Sequence, residues 1–163
     1  VLATTQKLST DLGEASYHSV EFKGLLPETL YAYRVGDGAN WSEWFQFRTA
    51  SRQRKPFSFI YFGDAQREVK SQWSRVIRQA YKHASDARFI VHAGDLIDRH
   101  NRDAQWGEWF NAGGWLNGML PSIAAAGNHE YGSDEDGGRH LSTHWRPQFA
   151  LPAHGPEGLE ETV

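Results

Sequence analysis

The sequence predicts a β-sandwich module, present in part, followed by an α/β unit. Three observations lead there. Residues 17–49 alternate apolar and polar side chains with turn residues between the runs, residues 51–56 are polar and end on proline, and from Phe57 onward short apolar runs alternate with stretches of helical periodicity. The expected boundaries are 1–50 for the first module, 51–56 for a linker and 57–163 for the second.

In the first module His18, Val20 and Phe22 alternate with polar neighbours, as do Tyr31, Tyr33 and Val35, and Phe45 with Phe47 makes a third run. These read as antiparallel strands, with Gly36-Asp37-Gly38-Ala39-Asn40 as a hairpin connection rich in residues that tolerate positive φ. Beyond the linker, Phe57–Phe62 is a strand ending in Gly63-Asp64. Val69, Trp73, Val76, Ile77, Ala80 and Tyr81 then recur at helical spacing. Arg88–Ala93 is the next strand, ending in Gly94-Asp95. Residues 104–120 are helical with a break at Gly113-Gly114, and Pro121–Ala126 is a third strand, ending in Gly127-Asn128. Strands alternating with helices imply a parallel sheet, and in such sheets the chemistry gathers beyond the carboxyl ends of the strands.

Composition excludes several classes of function. At 163 residues, with 39% hydrophobic and 23% charged, the chain has the balance of a globular protein of one ordinary or two small domains. Net charge is −3 and only Arg52–Lys55 clusters basic residues, so there is no nucleic-acid footprint. Its apolar runs fall far short of the ~20 residues of a membrane span. Zero cysteines exclude disulfides, a thiolate nucleophile and thiolate zinc sites, and leave the compartment open. The chain begins without a charged-then-apolar leader, so a signal peptide is expected to be absent or removed. Asn40-Trp41-Ser42 fits a glycosylation pattern short enough to occur by chance.

The residues that carry chemistry are Asp64, Asp95 and Asn128, each one residue past a glycine at a strand end, where a chain can turn sharply and approach a ligand. Two carboxylates and an amide oxygen aimed at one crevice suit metal ions, a carboxylate being able to bridge two of them. His129, next to Asn128, is left free to touch substrate. A single Gly-Asp is usually only a turn; three such blocks in order favour the functional reading. His92, inside an apolar strand, reads as a core histidine, and Trp106, Trp109 and Trp115 as core or interface. His100 and Asn101 read as the loop and cap before a helix. Asp98 stands between a direct contact and a carboxylate that orients a ligand.

The blocks Gly63-Asp64, Gly94-Asp95-Leu96-Ile97-Asp98-Arg99 and Gly127-Asn128-His129-Glu130 resemble the calcineurin-like metallophosphoesterase superfamily, most closely its purple acid phosphatase branch. Ile90-Val91-His92-Ala93, Gln105-Trp106 with Trp109-Phe110, and Arg146-Pro147-Gln148-Phe149-Ala150-Leu151-Pro152 resemble that branch too. Gly24 to Gly36 resembles the corner of fibronectin type III modules, where a tyrosine at the position of Tyr31 hydrogen-bonds back to the preceding turn. The resemblance implies a partial fibronectin III-like domain followed by the N-terminal half of a four-layer α/β/β/α metallophosphoesterase sandwich, the chain being a fragment truncated at both ends.

It further implies two metal ions, from iron, zinc or manganese, with Asp64 on the first, Asp95 bridging and Asn128 on the second. His129 would bind the phosphate and assist the leaving group, and a metal-bound hydroxide would attack phosphorus. The remaining ligands, a lone His and a Gly-His-x-His block, are expected beyond Val163, so the isolated chain is expected to turn over little substrate. His140, His144 and His154 read as residues of a solvated, mobile loop around Asp134–Gly138. Gln66 stands where the superfamily has His and the purple branch Gly, and could be a weak ligand or support; Asp98 and Arg99 are further supporting candidates. Where the purple branch has its colour-giving Tyr, this sequence has Asp98, so a colourless protein is expected. The implied substrates are phosphate monoesters. Alternatives are a nucleotide phosphodiesterase of the same superfamily, or a non-catalytic binding module on a decayed scaffold. Family resemblance suggests a secreted or periplasmic location; oligomeric state stays open.

Overall fold

The computed structural model describes residues 1–151. The first region contains two antiparallel hairpins. β1 (Thr4–Thr10) pairs with β2 (Gly13–Ser19), in register from Thr4 opposite Ser19 to Thr10 opposite Gly13, and β3 (Leu30–Tyr33) pairs with β4 (Phe45–Arg48). β1 left no apolar alternation in the sequence because Thr-Thr-Gln-Lys-Leu-Ser-Thr is almost wholly polar. Val20, Phe22 and Val35 lie outside the strands that the alternation assigned them to. Tyr31, Tyr33, Phe45 and Phe47 share one face of β3–β4 and gather Phe22 onto it, with ring centroids 5.6 to 6.1 Å apart. The expected corner contact is present: the Leu26 N–H donates to the Tyr31 hydroxyl over 2.9 Å. The loop between β3 and β4 closes through a bridge between Gly36 and Trp41, with the Asp37 carboxylate accepting the N–H groups of Ala39 and Asn40.

In the second region β5 (Ile60–Phe62), β6 (Ile90–His92) and β7 (Ser122–Ala124) form the expected parallel sheet, in the order β5-β6-β7. Phe57 and Phe59 fall before β5 and pack on Phe89 instead. A π-helical turn over Val69–Trp73 leads into α1 (Ser74–His83). The second helical stretch breaks where the glycines fall, into α2 (Asp103–Gly113) and α3 (Trp115–Met119), with Gly114 at φ 53°. Register places Ile60, Ile90 and Ser122, then Phe62, His92 and Ala124, on the face that the core covers. Tyr61, Val91 and Ile123 lie on the other, where Tyr61 and Ile123 are exposed. Trp106 and Trp109 are core as expected, but Trp115 is 44% exposed and meets only the edge of Tyr81.

The stretch read as a mobile surface loop is a hairpin of β8 (Tyr131–Ser133) and β9 (Arg139–Leu141), closed by the Asp134 N–H donating to Gly138 O over 2.8 Å. α4 (Trp145–Gln148) follows. His140 is exposed as expected, but His144 is buried at 2% exposure against the Trp106 ring, because Trp145 and Phe149 behind it are core residues; His154 lies outside the described residues.

The regions meet through specific contacts. The Tyr33 hydroxyl donates to Gly118 O over 2.7 Å, and Phe45 packs so closely on Gly118 that a Cβ there would come within 2.5 Å of its ring. Asp11, in the β1–β2 turn, accepts the Asp103 N–H over 2.9 Å and faces Arg102 at 3.2 Å. That N–H lowers the Asp11 pKa, opposed by desolvation. The expected cap at His100-Asn101 is therefore corrected. Arg102 holds the N-cap position without a side-chain cap, and a carboxylate from the other region serves the first turn of α2.

Candidate metal centre

Asp64, Asp95 and Asn128 follow the carboxyl ends of β5, β6 and β7 by two, three and four residues. The sequence assigned the turns to the preceding glycines. In the structure Asp64 and Asp95 themselves take left-handed conformations, at φ 55° and 53°, and only Gly94 among the three glycines has positive φ, at 91°. A left-handed non-glycine residue costs about 1–3 kcal/mol and persists only where its surroundings impose it, commonly at functional sites. Gly94 is required for a second reason: a Cβ there would come within 2.6 Å of Gly127 Cα. The loops after β6 and β7 thus touch, and the Asp64 N–H reaches Gly94 O over 3.3 Å. Asp64 and Asn128 are exposed and Asp95 is half-buried.

The second and third blocks are tied together by hydrogen bonds. Asp95 Oδ1 accepts the His129 N–H over 3.0 Å. His129 Nδ1 lies 2.7 Å from Asp98 O and 3.8 Å from Asp98 Oδ1, and its ring is about a quarter exposed. Arg67 and Arg99 each stand 3.9 Å from the Asp98 carboxylate. Asp98 therefore touches His129 chiefly through its backbone carbonyl, which leaves the role of its carboxylate open. Gln66 Oε1 is buried without a hydrogen-bond partner among the described residues, and with Asp98, Arg67, Lys70, Gln105 and Glu108 the residue lines a polar cleft of about 570 Å³.

Sequence reasoning quoted Glu130 only as the end of a block. Its side chain is fully buried and takes four backbone N–H groups from the loops around it. The available signal was an acid three residues after Gly127, the cap of a short helical turn, the spacing at which such a side chain reaches back to the cap. His140 pairs with Asp134 at 2.9 Å, and His144 Nε2 lies 3.3 Å from Asp103, so both stand with other partners than Asp64, Asp95 and Asn128.

Two carboxylates and an amide suit hard or borderline cations. Among the described residues no group of three or more His, Cys, Asp or Glu is arranged to hold a metal, so the donors present are a partial set of oxygens. They fit such ions as far as they go, being oxygen donors on loops of which those after β6 and β7 touch.

Residues 57–156 match the family model described as calcineurin-like phosphoesterase, and residues 1–49 that described as the N-terminal domain of purple acid phosphatase. The chain belongs to the calcineurin-like phosphoesterase family. It is 30% identical over 146 residues to acid phosphatase type 7 of Danio rerio, an alignment covering 87% of this chain and 30% of that protein. It is 26% identical over 130 residues to probable inactive purple acid phosphatase 1 of Arabidopsis thaliana, covering 69% of this chain and 21% of that protein. Its fold matches a purple acid phosphatase from yellow lupin (Lupinus luteus) seeds with a TM-score of 0.72 at 19% identity, over 94% of this chain and 33% of that one. The chain thus spans about a third or less of each relative. No helix among the described residues is long and apolar enough to cross a membrane.

Proposed function

We propose that the protein carrying this chain hydrolyses phosphate monoesters with two metal ions, drawn from iron, zinc or manganese and held in part by Asp64, Asp95 and Asn128. The observation that supports this most is the contact between the loops after β6 and β7, where Asp95 Oδ1 accepts the His129 N–H and so ties the proposed ligand to the residue proposed to meet substrate. When bound, the metals would supply positive charge to the phosphoryl oxygens and a nucleophile at neutral pH.

The chain's own residues divide the remaining work. Asp95 accepts the His129 N–H with one lone pair, and its remaining lone pairs would help hold the metals. A carbonyl only accepts, so His129 Nδ1 carries the proton it shares with Asp98 O, and Nε2 is the atom left to meet substrate. Protonated there, it donates to a phosphoryl or leaving-group oxygen, a step that contributes about 10²–10⁴-fold in general-acid catalysis. The Asp98 carbonyl keeps the ring oriented, and the Asp98 carboxylate stands 3.8 Å from Nδ1.

The test is metal analysis of the purified protein after dialysis, together with turnover of p-nitrophenyl phosphate. About two metals per chain, with turnover abolished by Asp95→Ala and by Asn128→Ala, is the expected result. Metal-free, inactive protein that resists reconstitution with manganese, zinc or iron would sink the proposal. Faster turnover of bis-p-nitrophenyl phosphate would move the assignment to a phosphodiesterase. With Asp98 in place of the tyrosine, iron-loaded protein is expected to be colourless.

One observation favours a second, non-catalytic reading. Gln66 occupies a position where the superfamily carries imidazole, and its Oε1 is buried without a partner among the described residues. One relative is itself named as probably inactive. On that reading Asp95→Ala leaves binding to a biological partner unchanged.

A further inference from the structure

We infer that Glu130 is a positioning residue for Asp95, acting through the backbones of both ligand loops; the inference rests on the metal-dependent reading above. A carboxylate with no exposed surface is costly to bury unless it is fully hydrogen-bonded or paired. Glu130 meets that requirement with the ligand loops alone. Oε2 accepts the N–H groups of Gly127 at 2.7 Å and Asp95 at 2.9 Å, and Oε1 accepts those of Leu96 at 2.7 Å and Ile97 at 3.4 Å. An ionised carboxylate has about four lone-pair sites and no proton to donate, so these four donors satisfy it.

The three consecutive donors explain the strained aspartate. Successive backbone N–H groups converge on one anion when a residue among them takes a left-handed conformation, forming a small anion-binding nest. Asp95, at φ 53°, is that residue, and the anion in the nest is supplied by the chain itself. Holding the Asp95 N–H fixes the direction in which its side chain leaves the backbone. The fourth donor, Gly127, carries the grip across to the loop bearing Asn128 and His129, whose own N–H is in turn bound by Asp95. One buried carboxylate thus sets the separation of two metal ligands without touching metal or substrate.

Glu130→Gln keeps the volume but turns one acceptor into an NH₂ group facing N–H donors. Glu130→Asp keeps the charge but is too short to hold both loops. Each variant, stripped of metal and shown to unfold cooperatively, is titrated with Mn²⁺ in a calorimeter beside the wild type. The expected result is a Kd weakened about 10–100-fold in Glu130→Gln, with a smaller loss in Glu130→Asp, which also keeps the test open if the glutamine variant does not fold. A folded variant that binds Mn²⁺ with wild-type affinity overturns the inference, even if its melting temperature falls, because the role is then structural only. Wild-type protein that takes up no Mn²⁺ fails differently, since it removes the metal-dependent reading before any variant is compared.

Discussion

Residues 1–49 hold their strands together without one fully buried side chain, whereas every buried apolar residue of the described chain lies between Ile60 and Trp145. The first region relies on hairpin pairing, an aromatic cluster on one face of β3–β4, and the contacts of Asp11, Tyr17, Tyr33 and Phe45 with the phosphoesterase region. The second has a core of its own, and the strained aspartates sit at its edge. A small β-module with half-buried faces is marginal alone, so its order depends on its neighbour, while the site depends on the core beneath the sheet.

The largest expected effect follows from breaking that core. Trp106 is 1% exposed, packs on His144, Trp145 and Phe149, and donates its indole N–H to His100 O over 3.1 Å. Trp106→Ala is expected to cost about 3–5 kcal/mol, read by denaturant unfolding. A loss below about 1 kcal/mol would mean that the second region is not organised around these rings.

The next effect is a pH dependence that belongs to the core. His92 lies in β6 among Phe62, Trp73 and Trp109, both ring nitrogens lack partners, and burial pushes its pKa from 6.5 down to about 4. The unfolded chain then binds the proton more readily than the folded one. The stabilisation is fully present above pH 6.5 and is lost as pH falls toward 4, by up to about 3 kcal/mol. Unfolding curves across that window should show the loss in the wild type and much less of it in His92→Leu. Equal slopes in the two proteins would assign the acid sensitivity elsewhere.

Much of the second region was legible because its signals are local. Apolar runs ending in Gly-Asp or Gly-Asn give the strands and their parallel pairing, and place Asp64, Asp95 and Asn128 just beyond the strand ends, and Gly113-Gly114 gives the break between α2 and α3. What escaped depends on contacts between distant segments. β1 is polar because little of it is buried, so no periodicity marks it. His144 sits in a polar stretch yet is covered by Trp106, and Trp115 has the spacing of its buried neighbours yet lies past the helix break. Glu130 looked like any acidic residue after a histidine; its meaning lies in N–H groups more than 30 positions away, as the separations of 33 to 35 show.

The smallest effect tests whether the first region depends on the second. The Tyr33 hydroxyl belongs to the module but donates to Gly118 O in α3, so Tyr33→Phe removes one hydrogen bond between regions and leaves the aromatic cluster in place. The expected loss is about 0.5–1.5 kcal/mol. A residue of the same module that makes no such contact serves as the control. Trp44, 63% exposed with Arg34 over its ring at 5.0 Å, is expected to change stability by no more than about 0.5 kcal/mol when replaced by alanine. If Tyr33→Phe lowers the unfolding midpoint and Trp44→Ala does not, the module draws its stability from the interface. If both are silent, the hairpins and their aromatic face suffice on their own, and the dependence argued from burial is wrong.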